Sequence, residues 1–489
     1  MIRNSAFHLY LHLNLIIVLL IDLKYSSAMV ICILDKRIKF SGFNKSLLFF
    51  IVLILIGCTA KETLYYSAPT RMPRTIDSMK TPGFWISKHG NPDEIAMNSR
   101  EIENFNNITS SKLKLINNIK DHPAIINGFE IRKEIMDFYF SYAFNRYFLE
   151  NGKKTDPLFF DKIKNNLNLD GIPETIIPQF GYITGFTDQR QLPTDKRIYR
   201  SAFDINFDRV QNSAYDIGTP IIILHASFDG EWLYTKTSYS SGWIKKKDIG
   251  LCPKNKLDTI HSKGFVIITS AKADIYTDIN KKSFYGSVRM GSKFPLLKEH
   301  NTYYEIELSV RKKNGYVETK SSFLSRNDAH RGYLSYTARN AITQAFKLLN
   351  TPYGWGGMFA EQDCSKFIQE IFGTMGVTLP RNSTSQAKVG HLVKEFKIYK
   401  NNSDKYSAIR EYAIPGITTL RMPGHIMLYL GEYNGKLYTI HDFWSYKEKT
   451  LNGIVERVVN KVAVTDMLLG EDTESGSLME RIDTVRIVQ

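Results

Sequence analysis

Short β-branched and aromatic runs, each ended by a turn signal, follow one another between residues 195 and 325. Runs of this length, broken by Asp-Gly and Asn-Gly pairs, are typical of antiparallel strands joined by tight turns. The order of runs in the first half recurs in the second. The sequence therefore predicts two small β-barrels, residues 195–253 and 256–325, with one larger antiparallel sheet as the alternative. The runs that carry this prediction are Pro220–Leu224, Glu231–Thr235, Ser241–Ile244, Phe265–Thr269 and Tyr303–Leu308.

The segments on either side of these runs have a different texture. Residues 81–190 show helical spacing of apolar side chains, as in Ile131, Ile135 and Tyr139, and predict a mostly helical N-terminal domain. Residues 330–489 alternate helical and strand patterns and predict a C-terminal domain. Because 489 residues exceed what one hydrophobic core usually organises, several domains are expected. The predicted fold class is multidomain α+β.

The N-terminal segment has the features of an export signal. Residues 47–57 form an apolar run behind several basic residues, too short to span a bilayer comfortably, and the run ends in Leu55-Ile56-Gly57-Cys58. That ending resembles a bacterial lipobox, which implies lipidation of Cys58 and a membrane anchor. Residues 1–57 are thus predicted to be a signal peptide, with Met29 as an alternative start, and residues 58–80 a mobile linker. An uncleaved anchor is the alternative.

Charge and cysteine content exclude some classes of function. The net charge is +15, but Lys and Arg are spread along the chain, so no nucleic-acid partner is predicted. None of the four cysteines has a metal-type spacing, and neither a metal nor another cofactor is expected. Cys252 and Cys364 could pair, but the surroundings of Cys364 favour a free reactive thiol.

Cys364 lies where a cysteine nucleophile is expected. Apolar residues predict a helix over residues 336–349, a glycine-rich loop follows, and Asp363 is a good N-cap for a second helix that begins at Cys364. Unpaired N–H groups and the positive end of the helix dipole favour a thiolate in the first turn. A lone cysteine at a helix start is more often a small core residue, so this signal needs partners.

Two histidines supply such partners. His425 begins an alternating strand and His441 ends the next one, so the two strands predict a hairpin. If the pairing is centred on Tyr433, His425 lies directly opposite His441, about 5 Å away on one face. Such a pair could act as a base and the group that orients it, and the chain order cysteine, histidine, polar residue matches papain-like chemistry.

Four motifs together resemble the NlpC family of papain-like cysteine peptidases, in the branch with bacterial SH3 domains before the peptidase. They are Pro352–Gly357, Asp363–Ser365, Leu379–Ser383 with Gln386, and Pro423–Gly431. The resemblance implies two SH3-like barrels, a papain-like α+β peptidase domain at residues 330–489, and no metal. The implied reaction is hydrolysis of the bond between D-γ-glutamate and the following diamino acid of peptidoglycan stem peptides or muropeptides.

The resemblance also implies roles for individual residues. Cys364 is the nucleophile, His425 its base and His441 the orienting residue, and Tyr353 could help the Cys364 N–H to hold the oxyanion. Asp363 and Ser365 would lie at the free amine of the L-alanine end, and Asp208 and Tyr239 are SH3 candidates for substrate contact. For Trp355, packing beneath the loop is the favoured interpretation.

With the lipobox, this predicts a peptidase in the cell envelope, lipid-anchored to a bacterial membrane on its periplasmic side or outer surface. A papain-like acyltransferase or amidase and a non-catalytic wall-binding lipoprotein are the alternatives.

Overall fold

The computed structural model describes residues 65–489, apart from residues 120, 143–145, 203, 259–263 and 400–401. The predicted signal peptide and Cys58 lie outside the described residues. In the part of the chain that is described, no helix is long and apolar enough to cross a membrane.

The C-terminal region is built on a seven-stranded sheet that is mainly antiparallel. Its long central hairpins come from alternating sequences that bury side chains on both faces. One face holds Ile426, Leu428 and Ile440, and the helices Ala338–Lys347 and Cys364–Gly373 share a core with it. In spatial order the strands are Tyr65–Ser67, Gly453–Asp466, Lys436–Thr450, His425–Tyr433, Thr418–Met422, Thr484–Ile487 and His391–Glu395.

Two further seven-stranded sheets occupy the middle of the chain, in place of the single larger sheet considered as the alternative. The first begins at Gln179, ahead of residue 195, because the strands Gln179–Ile183 and Thr187–Arg190 belong to it. In order its strands are Ile249–Cys252, Gln179–Ile183, Pro220–Ala226, Trp232–Lys236, Ser241–Lys245, Thr187–Arg190 and Gln211–Tyr215. The second contains Phe284–Arg289, Lys272–Tyr276, Val317–Ser325, Tyr303–Arg311, Lys293–Glu299, Phe265–Ile268 and Ala329–Arg331.

The separate helical N-terminal domain is not confirmed. Its helices exist, but those after residue 119 share a core with the first central sheet, whereas Trp85 and Phe105 join the C-terminal core. Helical periodicity reports that one face is buried and not which element covers it. Among the described residues, the α-helices are Pro82–Ile86, Ser99–Asn107, Gly128–Phe140, Pro157–Asn166, Ala338–Lys347, Cys364–Gly373, Ser383–Gln386, Asn402–Tyr412 and Leu478–Arg481.

The described part of the predicted linker is packed and does not form a free tether. Tyr65–Ser67 pairs in parallel with the strand Gly453–Asp466, and Met72 and Met79 are buried. Arg74 hydrogen-bonds Asp466 and, at 2.7 Å, Glu471. Proline content suggested mobility, but the two methionines and this arginine find partners far along the chain.

Candidate active site

Cys364 is the first residue of the helix Cys364–Gly373. The Asp363 side chain caps this helix by accepting a hydrogen bond of 2.9 Å from the Lys366 backbone N–H. Phe367 and Ile371 are fully buried on the face turned to the sheet, and each such side chain stabilises the fold by about 1.5–3 kcal/mol. The Cys364 side chain is only 6% exposed, so a well-packed helix holds it in place.

Burial opposes ionisation of this thiol. It raises the pKa of Cys364, and the neighbouring Asp363 carboxylate raises it further, while a hydrogen bond to the Ile426 backbone lowers it. The helix dipole alone predicted a lowered pKa, but desolvation of a fully enclosed sulfur outweighs that effect. The thiol is therefore favoured over the thiolate until a base takes its proton.

The hairpin that carries the two histidines turns between Asn434 and Gly435 and not at Tyr433, where its turn was predicted. Tyr433 pairs with Lys436, so Asn434 and Gly435 form a two-residue turn, with φ values of 48° and 72°. Positive φ at both positions defines a type I′ turn, the preferred conformation of Asn-Gly. The predicted register centred on Tyr433 is wrong, because it overlooked this dipeptide.

A bulge between Tyr429 and Gly431 then shifts the register once more, so that Leu428 pairs with Ile440. His425 and His441 consequently lie diagonally on one face and are not directly opposed. They nevertheless meet, because diagonal neighbours in a twisted pair remain within reach of long side chains.

The two imidazoles are hydrogen-bonded to each other. His425 Nε2 lies 2.7 Å from His441 Nδ1, and Phe443 stacks on the His441 ring with centroids 4.2 Å apart. Burial, followed by Arg481, lowers the pKa of His425 to about 3, and burial together with His425 lowers the pKa of His441 well below its usual value. Both rings are therefore neutral near pH 7. His441 engages Nε2 of His425 and does not engage the other ring nitrogen, Nδ1.

Asp363 and Ser365 lie together, but the Asp363 carboxylate already accepts five hydrogen bonds. The donors are Lys366 N, Gly356 N, Ser365 Oγ and two nitrogens of Arg381 at 2.8 and 3.0 Å. Burial raises the pKa of Asp363, but Arg381, the Lys366 N–H and Ser365 together bring it below its usual value. The carboxylate is thus saturated by the protein, and in this arrangement it holds the glycine-rich loop against the cysteine helix.

Arg381 belongs to the motif Leu379–Ser383, but its part in the site is not evident from the sequence. Its Nε donates to Ser213 Oγ at 2.9 Å, in the first central sheet, and Nη1 donates to Ser365 Oγ at 3.0 Å. Gln386, from the same motif, donates to the Ser365 carbonyl at 2.8 Å. One guanidinium therefore links the cysteine helix to the first central sheet.

The other three residues predicted to contact the substrate lie in different surroundings. Tyr353 lies near the thiol: burial, and then Cys364, raise the pKa of its hydroxyl. The Asp208 side chain is fully buried and pairs with Arg190 at 2.8 Å, so it is occupied in holding its own loop. Tyr239 lies at the junction with the cysteine helix, with Lys366 Nζ 5.9 Å from its ring centroid.

An aromatic cluster joins the glycine-rich loop to the segment before the strand Gln211–Tyr215. Phe207 contacts Trp355 edge-on at 5.3 Å, and also Tyr353 and Trp444 at 6.2 and 5.5 Å. Trp355 Nε1 donates to the Asp208 carbonyl at 3.0 Å. Trp355 thus packs under the loop in the way that the sequence favoured.

Asp442 is a second residue that the sequence analysis missed. It follows His441, is fully buried, and neither carboxylate oxygen has a hydrogen-bond partner among the described residues. Burial raises its pKa well above the usual value, and Asp363 and Glu361 add to this effect. The carboxyl therefore favours its neutral form. Its position next to a candidate catalytic histidine was the available signal.

In the described residues, no group of three or more His, Cys, Asp or Glu side chains is placed to hold a metal ion. Both described cysteines, Cys252 and Cys364, are buried free thiols.

Comparison with known proteins defines the class. Residues 350–461 match the NlpC/P60 family, and residues 197–245 match the SH3 domain of the SH3b1 type. A solved NlpC/P60 endopeptidase from Photobacterium damselae subsp. piscicida has the same fold, with a TM-score of 0.69, 21% identity, and coverage of 86% of this chain and 99% of that one. The chain is therefore a multidomain α+β protein with an SH3 domain and a C-terminal NlpC/P60 domain.

Two curated relatives are more specific. The gamma-D-glutamyl-L-lysine dipeptidyl-peptidase of Bacillus subtilis (strain 168) is 27% identical over 155 residues, which cover 30% of this chain and 46% of the relative. The Bacillus cereus (strain ATCC 10987 / NRS 248) protein of the same name is 26% identical over 163 residues, 33% of this chain and 47% of the relative. The chain matches about half the length of these relatives.

Proposed function

We propose that this protein is a peptidoglycan hydrolase, a cysteine endopeptidase that cleaves the bond between D-γ-glutamate and the diamino acid of stem peptides or muropeptides. The observation that carries the proposal is the hydrogen-bonded pair of His425 and His441, in which His425 adjoins Ile426, whose backbone bonds the thiol of the capped Cys364, all within the NlpC/P60 match. The names of the two Bacillus relatives support this choice of bond.

The chemistry follows from the protonation states. Thiol and imidazole are both neutral, so His425 Nδ1 takes the Cys364 proton as the sulfur attacks the γ-carbonyl carbon. The carbonyl oxygen becomes an oxyanion, held by the Cys364 backbone N–H at the helix start and by the Tyr353 hydroxyl. His425 then protonates the leaving amine, which gives a thioester. Water, deprotonated by His425, hydrolyses the thioester and restores the thiol.

His441 has a supporting role in this scheme. Its Nδ1 accepts from His425 Nε2–H and stabilises the imidazolium that forms during each proton transfer. Because His441 is fully buried beneath Phe443, it can fix the orientation of the His425 ring.

A set of four variants tests this scheme on L-Ala-γ-D-Glu-diaminopimelate. Cys364→Ala and His425→Ala should each lower kcat by several orders of magnitude. His441→Asn should keep more activity than His441→Ala, because the amide oxygen can still accept from His425. Circular dichroism controls for folding. Near-normal turnover in folded His425→Ala would contradict the mechanism, and binding without hydrolysis by the native protein would favour the non-catalytic alternative.

For substrate selection, we propose that the first central sheet narrows the cleft and thereby selects peptides with a free N-terminal L-alanine. The Phe207 contacts and the Arg381 bond to Ser213 support this narrowing. The tripeptide and its N-acetylated form distinguish the possibilities. Equal turnover of the two would argue for cleavage of stems still attached to glycan.

For localisation, the proposal is a lipid anchor at Cys58 that holds the enzyme on a bacterial membrane in the cell envelope. It rests on Leu55-Ile56-Gly57-Cys58 and the preceding apolar run. Metabolic labelling with a lipid probe should mark the native protein and not Cys58→Ala. Unchanged labelling of the variant would remove the proposal.

A further inference from the structure

A row of buried hydrogen-bonding side chains continues behind the histidine pair. His441 Nε2 lies 2.8 Å from Thr465 Oγ1, which lies 3.3 Å from Thr439 Oγ1. Thr439 Oγ1 in turn lies 3.7 Å from the sulfur of Met427. With the 2.7 Å contact of the two imidazoles, four consecutive hydrogen bonds lead from Met427 to His425.

Strand pairing in the C-terminal sheet places these side chains next to one another. Thr439 pairs directly with Thr465 on the neighbouring strand, and Met427 lies on the strand on the other side of Thr439. All three side chains have zero exposure, so no bulk water can replace a partner. The direction of each hydrogen bond is therefore set by the donors and acceptors in the row itself.

Counting hydrogens gives that direction. A thioether sulfur can only accept, so the bond between Met427 and Thr439 uses the Thr439 hydroxyl hydrogen. Thr439 Oγ1 must then accept from Thr465, whose own hydrogen is thereby used. Thr465 Oγ1 must accept from His441 Nε2–H. His441 Nδ1 is left without a hydrogen and accepts from His425 Nε2–H.

The opposite direction would disable the site. If Thr465 donated to His441 Nε2, then His441 Nδ1–H would donate to His425 Nε2. The hydrogen of a neutral His425 would then reside on Nδ1, and this nitrogen could not take a proton from Cys364. Only the direction ending at the sulfur leaves Nδ1 unprotonated.

We propose that Met427, Thr439 and Thr465 are positioning residues that set the tautomers of His441 and His425 and so keep His425 Nδ1 free to act as a base. This rests on the proposed function for its effect on turnover, whereas the tautomers can be measured without any reaction. None of the three residues touches substrate.

Ring-¹⁵N histidine labelling of the native protein tests the tautomers directly, with His425→Ala and His441→Asn to assign the signals. Hydrogen on Nε2 of both rings is expected at pH 7. Hydrogen on Nδ1 of His425 would overturn the proposal even if the enzyme were active. If the native protein did not cleave the tripeptide, the proposed function would fail while this measurement still decided the inference.

Three substitutions test the effect on catalysis. Thr465→Val removes the acceptor of His441 and should lower kcat about tenfold with little change in KM, since one buried hydrogen bond is lost. Thr465→Ser keeps the hydroxyl and should retain native kcat and native tautomers. Met427→Leu keeps the volume but frees the Thr439 hydrogen, so a fraction of His425 should move to the Nδ1–H form.

Thr419→Val is the matched control, a buried threonine in the adjacent strand Thr418–Met422 that lies outside the row. It should change neither tautomers nor kcat. Native tautomers and native kcat in Thr465→Val would overturn the proposal. If Thr465→Val does not fold, the same result in Met427→Leu would do so.

Discussion

Gly357 allows the loop behind Tyr353 to lie directly against the first central sheet. Its φ is +87°, and an added Cβ would lie 2.9 Å from the Cβ and 3.1 Å from the backbone N of Ala214. Ala214 belongs to the strand Gln211–Tyr215, whose backbone is held by pairing with the strand Thr187–Arg190. Gly332 is a matched control, since its φ is +70° but no atom lies within 4 Å of an added Cβ.

The two alanine substitutions should therefore differ by the cost of the collision. Each substitution should lower the stability by about 1–2 kcal/mol, because it places an alanine in a left-handed conformation. Gly357→Ala adds about 1–3 kcal/mol of overpacking against Ala214. Turnover should fall as well, by up to about 100-fold, because the loop also carries Tyr353 and the Gly356 N–H that binds Asp363, and a shift near 1 Å is enough.

Urea unfolding followed by tryptophan fluorescence gives the stabilities, and hydrolysis of the free tripeptide gives kcat/KM. Gly332→Ala should lose some stability and keep native activity. Equal losses of stability and equal activity in the two variants would refute the idea that close packing of the loop on the sheet organises the site.

Three further outcomes are expected. Arg289→Met should lower the free energy of unfolding by about 3–5 kcal/mol, because Arg289 pairs with Asp216 at 2.8 Å and lies near the buried Glu370. The control is Arg331→Met, at an exposed arginine. A loss of stability below about 1 kcal/mol in Arg289→Met would contradict this prediction. Asp442→Asn should gain stability relative to the native protein as pH rises above about 4, because a buried acid with a raised pKa retains a proton that the unfolded chain has released; parallel pH profiles of the two proteins would contradict this. Finally, kcat/KM should show no acid limb between about pH 5 and 7, since the pKa of His425 lies near 3 and its ring is already neutral; a limb near the ordinary histidine pKa would mean that the ring is solvated.

Local chemistry explains which elements the sequence predicted well. The helix start at Cys364 depends on one N-cap, Asp363, and on apolar spacing within the next three turns. Likewise, the strands Pro220–Ala226 and Tyr303–Arg311 follow from short runs bounded by turn residues. In each case the controlling residues lie within a few positions of the element they control.

The wrong predictions concern features that are determined by residues distant in the sequence. The helix Gly128–Phe140 was predicted by its periodicity, but its apolar face packs in the same core as Tyr182 and Trp243 of the first central sheet. Similarly, the Asn434-Gly435 turn fixed the start of the hairpin register, and a bulge then moved the register back by one residue toward the predicted one. A bulge leaves no clear trace in sequence alternation, so the diagonal placement of the histidines could not be anticipated.

The roles of Asp363 and Arg381 also depend on contacts between residues that are distant in the sequence. Family resemblance places Asp363 at the substrate amine, and a capping carboxylate has spare lone pairs for such a contact. In this fold, Arg381 comes from eighteen positions further along the chain, occupies both oxygens of Asp363, and also bonds Ser213 in the first central sheet. Because five hydrogen bonds leave the Asp363 carboxylate no free acceptor, we propose that selection of a free amine comes from the shape of the surface between the cysteine helix and that sheet. On this proposal, the geometry between the two regions, and not the identity of Asp363 alone, sets the substrate preference.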